Sequence, residues 1–314
     1  MSGERGRTWL RALEWAVALV VLAAIARYLA REWDRLAARP WDVDWALLAL
    51  GSGLVVLAYS VFVLLWRHLV SCLGGRLTVA DAHRIWYFGN LARYVPGKVL
   101  QLAGTAYLAR ARGLSSVLAV GSFVVAQLFV IVAGLALTLA TLPGSGSFLP
   151  GGSTGALAAA GALAVLLLTP LFDHAHRLGL RLTGHGEAHV RVSVKTRLGL
   201  ILGYLVAWIV FGLGFALFVQ AVADPPPGST PTLMGICAAG YLAGWVAVFV
   251  PGGLGVREGV YALLLAEVVP GPVAAAVAIL SRLWLTAVEL LVAILLALRY
   301  GLRDLRVSTV AEPR

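Results

Sequence analysis

Long apolar stretches alternate with short polar segments along the 314 residues of the chain. Six of these stretches are long enough to cross a hydrocarbon core of roughly 30 Å as helices that rise 1.5 Å per residue. The pattern therefore predicts an all-α polytopic membrane protein. The predicted spanning helices cover roughly residues 13–30, 45–66, 115–141, 156–172, 199–221 and 273–298.

Two further apolar stretches are each interrupted near the middle by Pro-Gly. Pro96 and Gly97 divide residues 80–112, and Pro251 and Gly252 divide residues 233–269. Proline stops a helix and glycine lets the backbone reverse, while an arm of about 15 residues reaches roughly 22 Å. Each stretch is therefore predicted to be a re-entrant hairpin whose turn lies near the middle of the bilayer.

The arginine and lysine residues between the apolar stretches predict the orientation. Residues 67–84, 177–197 and 299–306 are basic and should be cytoplasmic, whereas 141–154 and 223–232 carry almost no charge and should face outside. The two hairpins then enter from opposite sides. We expect a multi-pass protein of the cytoplasmic membrane, with both termini in the cytoplasm.

The two halves of the chain resemble each other. A shift of 155 residues (251 − 96) places Pro96 on Pro251 and residues 45–66 on 200–221. The same shift aligns Gly104 with Gly259 and Gln127 with Arg282. Because the matching spans run in opposite directions, we predict an inverted repeat like those of many transporters. The alternative is that Pro-Gly and apolar runs recur by chance.

The repeat defines the domain organisation. We predict one membrane domain, with one half at about 1–150, the other at about 151–300, and a cytoplasmic tail at 301–314. Basic residues before the first apolar stretch also fit a cleavable signal peptide. The repeat needs that stretch as a helix, which favours an uncleaved first span.

Composition agrees with a membrane protein and excludes several other classes. Hydrophobic residues make up 60% of the chain and charged residues 13%, against about 25% in soluble domains. The net charge of +10 comes from residues in short polar segments, which favours contact with anionic lipid head groups over nucleic acid. Cys72 and Cys237 do not indicate a disulfide framework.

No motif of an enzyme, a cofactor site or a metal site stands out. His174, His176, His185 and His189 are scattered in a polar segment without cysteine, which is more typical of a solvated surface than of a zinc site. The sequence contains no P-loop or dinucleotide fingerprint. We therefore predict a protein without catalytic residues, cofactor or bound metal.

Charged residues inside apolar stretches are the sharpest functional signal, since each costs roughly 2.5 to 3.5 kcal/mol or more at the centre of a lipid-facing helix. Arg282 and Glu289 are seven residues apart and share one face of the last span. Other charged residues lie beside the two breaks. The pattern predicts a polar site between the hairpins, made of Arg93, Lys98, Arg257, Glu258, Arg282 and Glu289.

This site should favour an anionic head group. Arginine binds phosphate in a bidentate way, and the free N–H groups at a glycine-rich helix start add donors. The alternative is that the charges only pair with one another and hold the hairpins together. A buried arginine left unpaired would favour the binding site.

Two stretches resemble the flippase-like membrane family, and the similarity covers nearly the whole chain. They are NLARYVPGKVLQLAGTAYLARARGLS, from Asn90 to Ser115, and FVPGGLGVREGVYALLL, from Phe249 to Leu265. That family includes the membrane part of bifunctional lysylphosphatidylglycerol synthetases, stand-alone members and domains fused to archaeal glycosyltransferases. The resemblance implies movement of a phospholipid or lipid-linked sugar phosphate between leaflets. We expect no lysyl transfer, because this sequence shows no soluble synthetase domain.

The resemblance extends the candidate binding site. One position departs from the family pattern: Gln127 stands where members often carry an acidic residue, which puts a shared ion-coupling mechanism in doubt. The predicted substrate-binding residues are Asn90, Arg93, Pro96, Gly97, Lys98, Gln101, Gly104, Gln127, Pro251, Gly252, Gly253, Gly255, Arg257, Glu258, Gly259, Arg282 and Glu289.

The sequence thus favours translocation of a lipid with an anionic head group or a polyprenyl phosphate. One alternative is a transporter of a soluble solute or ion. Another is a non-catalytic membrane subunit that recruits a lipid-synthesis enzyme or glycosyltransferase. A homo-oligomer is left open.

Overall fold

The structure is a computed structural model that describes residues 41–91, 98–142, 152–169, 192–247 and 254–300, together with the helical positions 27, 30 and 34. Across these ranges the chain forms α-helices joined by turns and short extended links, and no β-strand occurs in them. The helices are α1 Trp45–Cys72, α2 Val79–Leu91, α3 Lys98–Arg110, α4 Ser116–Thr141, α5 Gly152–Leu168, α6 Val194–Ala223, α7 Thr230–Val246, α8 Val256–Leu265 and α9 Gly271–Tyr300.

Four of these helices are long and apolar enough to cross a membrane, namely α1, α4, α6 and α9. They correspond to four of the six predicted spans. A fifth prediction, 156–172, falls on α5, which at 17 residues is close to the lower limit for a crossing. The remaining one, 13–30, lies almost entirely outside the described residues.

Apolar side chains cover the outside of these long helices. Leu50, Leu57 and Leu64 recur every seven residues on the exposed face of α1. The interior holds large aromatic side chains such as Trp66 and Trp208, which are almost completely buried. A soluble protein would not expose so continuous an apolar surface, so these faces fit contact with lipid.

The helices α1 and α6 run antiparallel at the centre of the fold. The amide of Asp44, just before α1, donates to the carbonyl of Ala221 at the end of α6 at 3.0 Å. Towards the other end of the pair, Leu65 packs where Gly203 leaves space. The shift of 155 residues pairs these same two helices, 45–66 with 200–221.

The two stretches divided by Pro-Gly form pairs of helices in contact, α2 with α3 and α7 with α8. The breaks themselves, 92–97 and 248–253, lie outside the described residues. In the first pair, Gln101 donates a hydrogen bond to the side-chain oxygen of Asn90. The arms of the second pair are unequal, 17 and 10 residues, because α8 ends early and a turn leads into α9.

Helices α1 to α4 and α6 to α9 make matching sets of contacts. Each pairing within the first set has its counterpart in the second, for example α2 with α3 and α7 with α8. The pairings between the sets also match, because α4 contacts α6 and α7 while α9 contacts α1 and α2. These contacts are the ones that two halves related by a two-fold axis would make.

Helix ends that the sequence assigns to one side of the membrane lie together. On the predicted outer side, Gly235 at the start of α7 packs against Thr141 at the end of α4. On the predicted cytoplasmic side, Arg112 pairs with Asp81 at 2.9 Å, and the guanidinium of Arg84 lies 5.1 Å from the ring centroid of Tyr300. Which side faces the cytoplasm stays a prediction.

Arg197 closes the carboxyl end of α5. Its side chain is buried and donates to three backbone carbonyls, those of Val192 at 2.8 Å, Leu167 at 3.1 Å and Thr169 at 2.9 Å. The last carbonyls of a helix lack partners within the helix, so a planar arginine fork can satisfy several of them. This basic residue therefore stabilises the fold as well as marking orientation.

Candidate functional site

The start of α8 is held by a buried glutamate. Gly255 precedes the helix with a φ of 82°, a left-handed conformation that suits glycine. Its amide donates to Oε2 of Glu258 at 2.7 Å, and Oε1 of Glu258 accepts from Nη1 of Arg282 on α9 at 3.1 Å. Glu258 thus joins the beginning of α8 to the middle of α9.

This arrangement bears on one expectation. The sequence suggested that free N–H groups at this helix start would bind the anion, and one of these groups, the amide of Gly255, bonds to Glu258 instead. A glutamate in the first helical turn reaches back to such an amide and also favours the positive end of the helix dipole. Glu258 and Arg282 match the alternative in which the charges pair with one another.

Arg257 lies beside this pair in a wall of tyrosines. Its side chain is 9% exposed, and its Nε donates to the hydroxyl of Tyr261 at 3.1 Å. The Tyr261 hydroxyl in turn donates to the carbonyl of Cys237 at 3.1 Å. The guanidinium lies 5.1 Å from the ring centroid of Tyr261 and 5.8 Å from that of Tyr241. Within the described ranges, the arginine is therefore held by aromatic contacts and one neutral acceptor.

One nitrogen of Arg257 has no hydrogen-bond partner in the described part of the chain. It is Nη2, which is buried. A buried donor without a partner costs roughly 1 to 3 kcal/mol, and more when it belongs to a charged group. The site thus contains a cationic donor that an anionic group could satisfy.

A second buried acid lies near the same place. Glu289 of α9 is 3% exposed and accepts a hydrogen bond from the hydroxyl of Tyr59 at 2.5 Å. Tyr59 lines the same cavity as Tyr241, whose ring centroid lies 5.8 Å from the guanidinium of Arg257. Tyr59 and Glu289 therefore lie in the neighbourhood of Arg257.

An aromatic cavity opens beside Tyr59 and Tyr241. Nine of the twelve residues that line it are aromatic. Gln127 of α4 lines the same cavity, and its Oε1 is buried without a hydrogen-bond partner in the described part of the chain. The aromatic lining residues are Tyr59, Phe62, Trp66, Trp86, Phe123, Tyr204, Trp208, Phe211 and Tyr241.

Comparison with known families decides the class of protein. Residues 13–297 match the family described as "Lysylphosphatidylglycerol synthase TM region". The chain belongs to this family. The family consists of membrane domains associated with lipid-related functions, which agrees with the fold described above. No curated protein matched the chain.

In this member of the family, the structure brings together the predicted residues of the second hairpin and the last span. Glu258 bonds to Gly255 and to Arg282, and Arg257 precedes it in the first turn of α8. Glu289 bonds to Tyr59, which lines the same cavity as Tyr241 beside Arg257. Gly259 contributes only backbone, since its amide donates to the carbonyl of Gly255 at 2.8 Å.

The predicted residues of the first half are placed differently. Asn90 and Gln101 bond to each other across α2 and α3, and Gly104 lies within α3. Gln127 is part of the aromatic cavity. Lys98 begins α3. Arg93, Pro96, Gly97, Pro251, Gly252 and Gly253 lie outside the described residues, as do the four histidines of the polar segment.

Sequence reasoning missed the tyrosines and tryptophans that surround Arg257 and Gln127. The hydropathy of an aromatic residue differs little from that of the apolar residues around it. Tyr59, Tyr241 and Tyr261 therefore look like ordinary membrane-helix residues. The available signal was the hydroxyl group, because a buried tyrosine hydroxyl usually finds a partner. Across the described ranges, no three metal-ligating side chains come together.

Proposed function

We propose that this protein moves a phosphate-bearing lipid between the leaflets of the cytoplasmic membrane. The observation that carries the proposal is the buried Nη2 of Arg257, which has no hydrogen-bond partner among the residues that the structure describes. A guanidinium kept in such a place is costly, so intramembrane charges are functional candidates by default. Phosphate oxygens are the acceptors that arginine matches best.

The neighbours of Arg257 fit this role. Tyr261 accepts the Nε hydrogen bond and thereby fixes the direction of the guanidinium. The ion pair of Glu258 with Arg282, at 3.1 Å, connects α8 to α9. It therefore holds the neighbouring residue, Arg257, in position relative to α9. A bound phosphate would complete the hydrogen bonds of Arg257 while the acyl chains stay among the exposed leucines of the helices.

The matching helix contacts support an inverted repeat with two re-entrant hairpins as the transport machinery. In such transporters the substrate site lies near the midplane, between the repeats, and rocking of one half exposes it to each side in turn. Arg257 belongs to the hairpin of the second half, and Tyr59 belongs to the first half. A site shared by both halves is what this mechanism needs. No catalytic step is part of the proposal.

The test is lipid flipping in proteoliposomes. Purified protein is reconstituted with fluorescent phosphatidylglycerol or a labelled polyprenyl phosphate, and loss of fluorescence on external reduction reports the exchange between leaflets. We expect Arg257→Gln to slow flipping at least tenfold, because a charge-assisted hydrogen bond contributes about 1.5 to 3 kcal/mol. Arg110→Gln, an exposed charge at the end of α3, is the matched control and should flip at the original rate.

The same assay separates the alternatives. Uptake of a soluble anion without any lipid flipping would assign Arg257 to a solute transporter. Flipping that is absent, with a lipid-synthesis enzyme or glycosyltransferase co-purifying, would favour a recruiting subunit. Equal flipping by the original protein and Arg257→Gln would remove Arg257 from the site.

A further inference from the structure

The aromatic cavity next to Arg257 differs chemically from an anion site. Its wall consists mainly of aromatic rings, and Tyr241 belongs both to this wall and to the surroundings of Arg257. The faces of aromatic rings carry partial negative charge and attract cations. The cavity wall next to the cationic side chain of Arg257 is therefore a surface that favours positive charge.

The rings of the cavity wall are oriented so that they enclose a space from several sides. Trp208 stands nearly perpendicular to three of its neighbours, at 85° to Phe62, 90° to Phe211 and 82° to Tyr241. Trp86 and Tyr59 meet at 50°. A flat platform that stacks a sugar ring or a base needs parallel faces, whereas a small cation is well held by rings that surround it.

The polar atoms of the wall also favour a cation. Three donors on lining residues already bond to the protein: Trp66 to Ser122 at 3.1 Å, Trp208 to the carbonyl of Val130 at 2.9 Å, and Tyr59 to Glu289. Among the fully buried side-chain polar atoms of the described residues, the one on this wall without a hydrogen-bond partner is an acceptor, Oε1 of Gln127. An ammonium group can use such an acceptor together with the ring faces.

We infer that this cavity binds the ammonium group of a lipid head group whose phosphate contacts Arg257. The inference deepens the proposed function and rests on it for the lipid part. The substrate class is then a phospholipid that carries both a phosphate and an ammonium group, as phosphatidylethanolamine does. Gln127 accepts a hydrogen bond from the ammonium, and the aromatic rings surround it.

The acceptor of the Tyr59 hydroxyl supports the same assignment. The hydroxyl of Tyr59 donates to the carboxyl group of Glu289, and the Tyr59 ring is part of the cavity wall. A carboxyl acceptor on a phenol raises the electron density of its ring, which strengthens the attraction for a cation.

The experiment measures binding, independently of transport. Purified protein in detergent is mixed with equal amounts of phosphatidylethanolamine and phosphatidylglycerol of identical acyl chains, and native mass spectrometry gives the ratio of the two complexes. We expect the ethanolamine lipid to be preferred about tenfold, the discrimination expected of a largely desolvated cation–π site. Gln127→Leu and Trp86→Leu should each bring the ratio close to one.

Two further variants keep the result interpretable. Trp86→Phe retains a ring and should keep most of the preference. Trp284→Leu removes a tryptophan outside the cavity, one that stacks on Phe218 at 4.5 Å, and should leave the ratio unchanged. A variant that still binds phosphatidylglycerol as the original protein does has kept its fold and its phosphate site.

A ratio near one in the original protein, or a preference for phosphatidylglycerol, would overturn the inference and leave the proposed function standing. A tenfold preference without flipping would support the ammonium site and refute the translocator. Free phosphoethanolamine should displace the lipid only at much higher concentration. Displacement at equal concentration would assign the cavity to a soluble compound and overturn the lipid part.

Discussion

Gly51 of α1 and Gly214 of α6 face each other backbone to backbone, and a β-carbon on either residue would lie 2.8 Å from the carbonyl oxygen of the other. Real β-carbons do not come so close to a backbone atom. Small residues let membrane helices approach closely and gain van der Waals contacts that lipid cannot replace. This contact fixes the spacing between the two helices at the centre of the fold.

Substitution of Gly51 should therefore loosen the centre of the fold. We expect Gly51→Ala to lower the free energy of unfolding by about 1 to 3 kcal/mol, because the helices must separate or shift. Gly53→Ala, two residues away with open space around it, should be neutral or slightly stabilising. Thermal unfolding of both variants in detergent, followed by tryptophan fluorescence, makes the comparison. Equal melting temperatures would mean that the contact does not hold the helices.

The sequence predicted the elements that depend on hydropathy and on Pro-Gly. Four spans appear as long helices, and the two interrupted stretches appear as paired helices on either side of each break. These features are local, since each follows from a run of apolar residues or from the backbone chemistry of one dipeptide. The boundaries were less accurate: α1 continues to Cys72, well beyond residue 66.

The site was predicted only in part, for a physical reason. Intramembrane charges are visible in a sequence because they are costly, so Arg257, Glu258, Arg282 and Glu289 stood out. Which charge pairs with which depends on how α8 packs on α9, and spacing along the chain does not determine it. The offset of 155 residues aligned Gln127 with Arg282, but it did not reveal the aromatic wall that gives Gln127 its surroundings.

The buried pair of Glu258 and Arg282 should show strong coupling in a double-mutant cycle. Glu258→Gln leaves a buried guanidinium without its partner, which we expect to cost about 3 to 5 kcal/mol. The double variant Glu258→Gln/Arg282→Gln should cost clearly less than the sum of the single changes, because no charge is then left alone. Chemical unfolding of the four proteins in the same detergent gives the coupling energy. Additive effects would show that the two side chains do not depend on each other.

Removal of the Tyr59 hydroxyl should destabilise the protein while the aromatic packing stays. Tyr59→Phe leaves the ring against Trp86 but takes away a donor from buried Glu289, at a cost of about 1 to 3 kcal/mol. Tyr107→Phe, on a half-exposed tyrosine of α3, should change stability by less than about 0.5 kcal/mol. The melting temperatures of the two variants test this prediction. A Tyr59→Phe protein as stable as the control would mean that Glu289 does not need the phenol.

The two cysteines offer a test of orientation. Cys72, partly buried at the end of α1, lies on the predicted cytoplasmic side, whereas Cys237 is completely buried. A membrane-impermeant maleimide should label Cys72 only after intact cells are permeabilised, and Cys72→Ser should abolish the labelling. Labelling of intact cells at Cys72 would reverse the predicted topology.

The hydrogen bonds of Arg197 join Leu167 and Thr169 on one side to Val192 on the other, so these two points of the chain are held close together. The intervening sequence, 170–191, thus connects two positions that the fold itself already keeps together. Lengthening a connection of this kind costs little, since the entropy of closure grows only with the logarithm of its length. This point is therefore a natural place to graft an affinity tag, a fluorescent reporter or a whole soluble domain without disturbing the bundle.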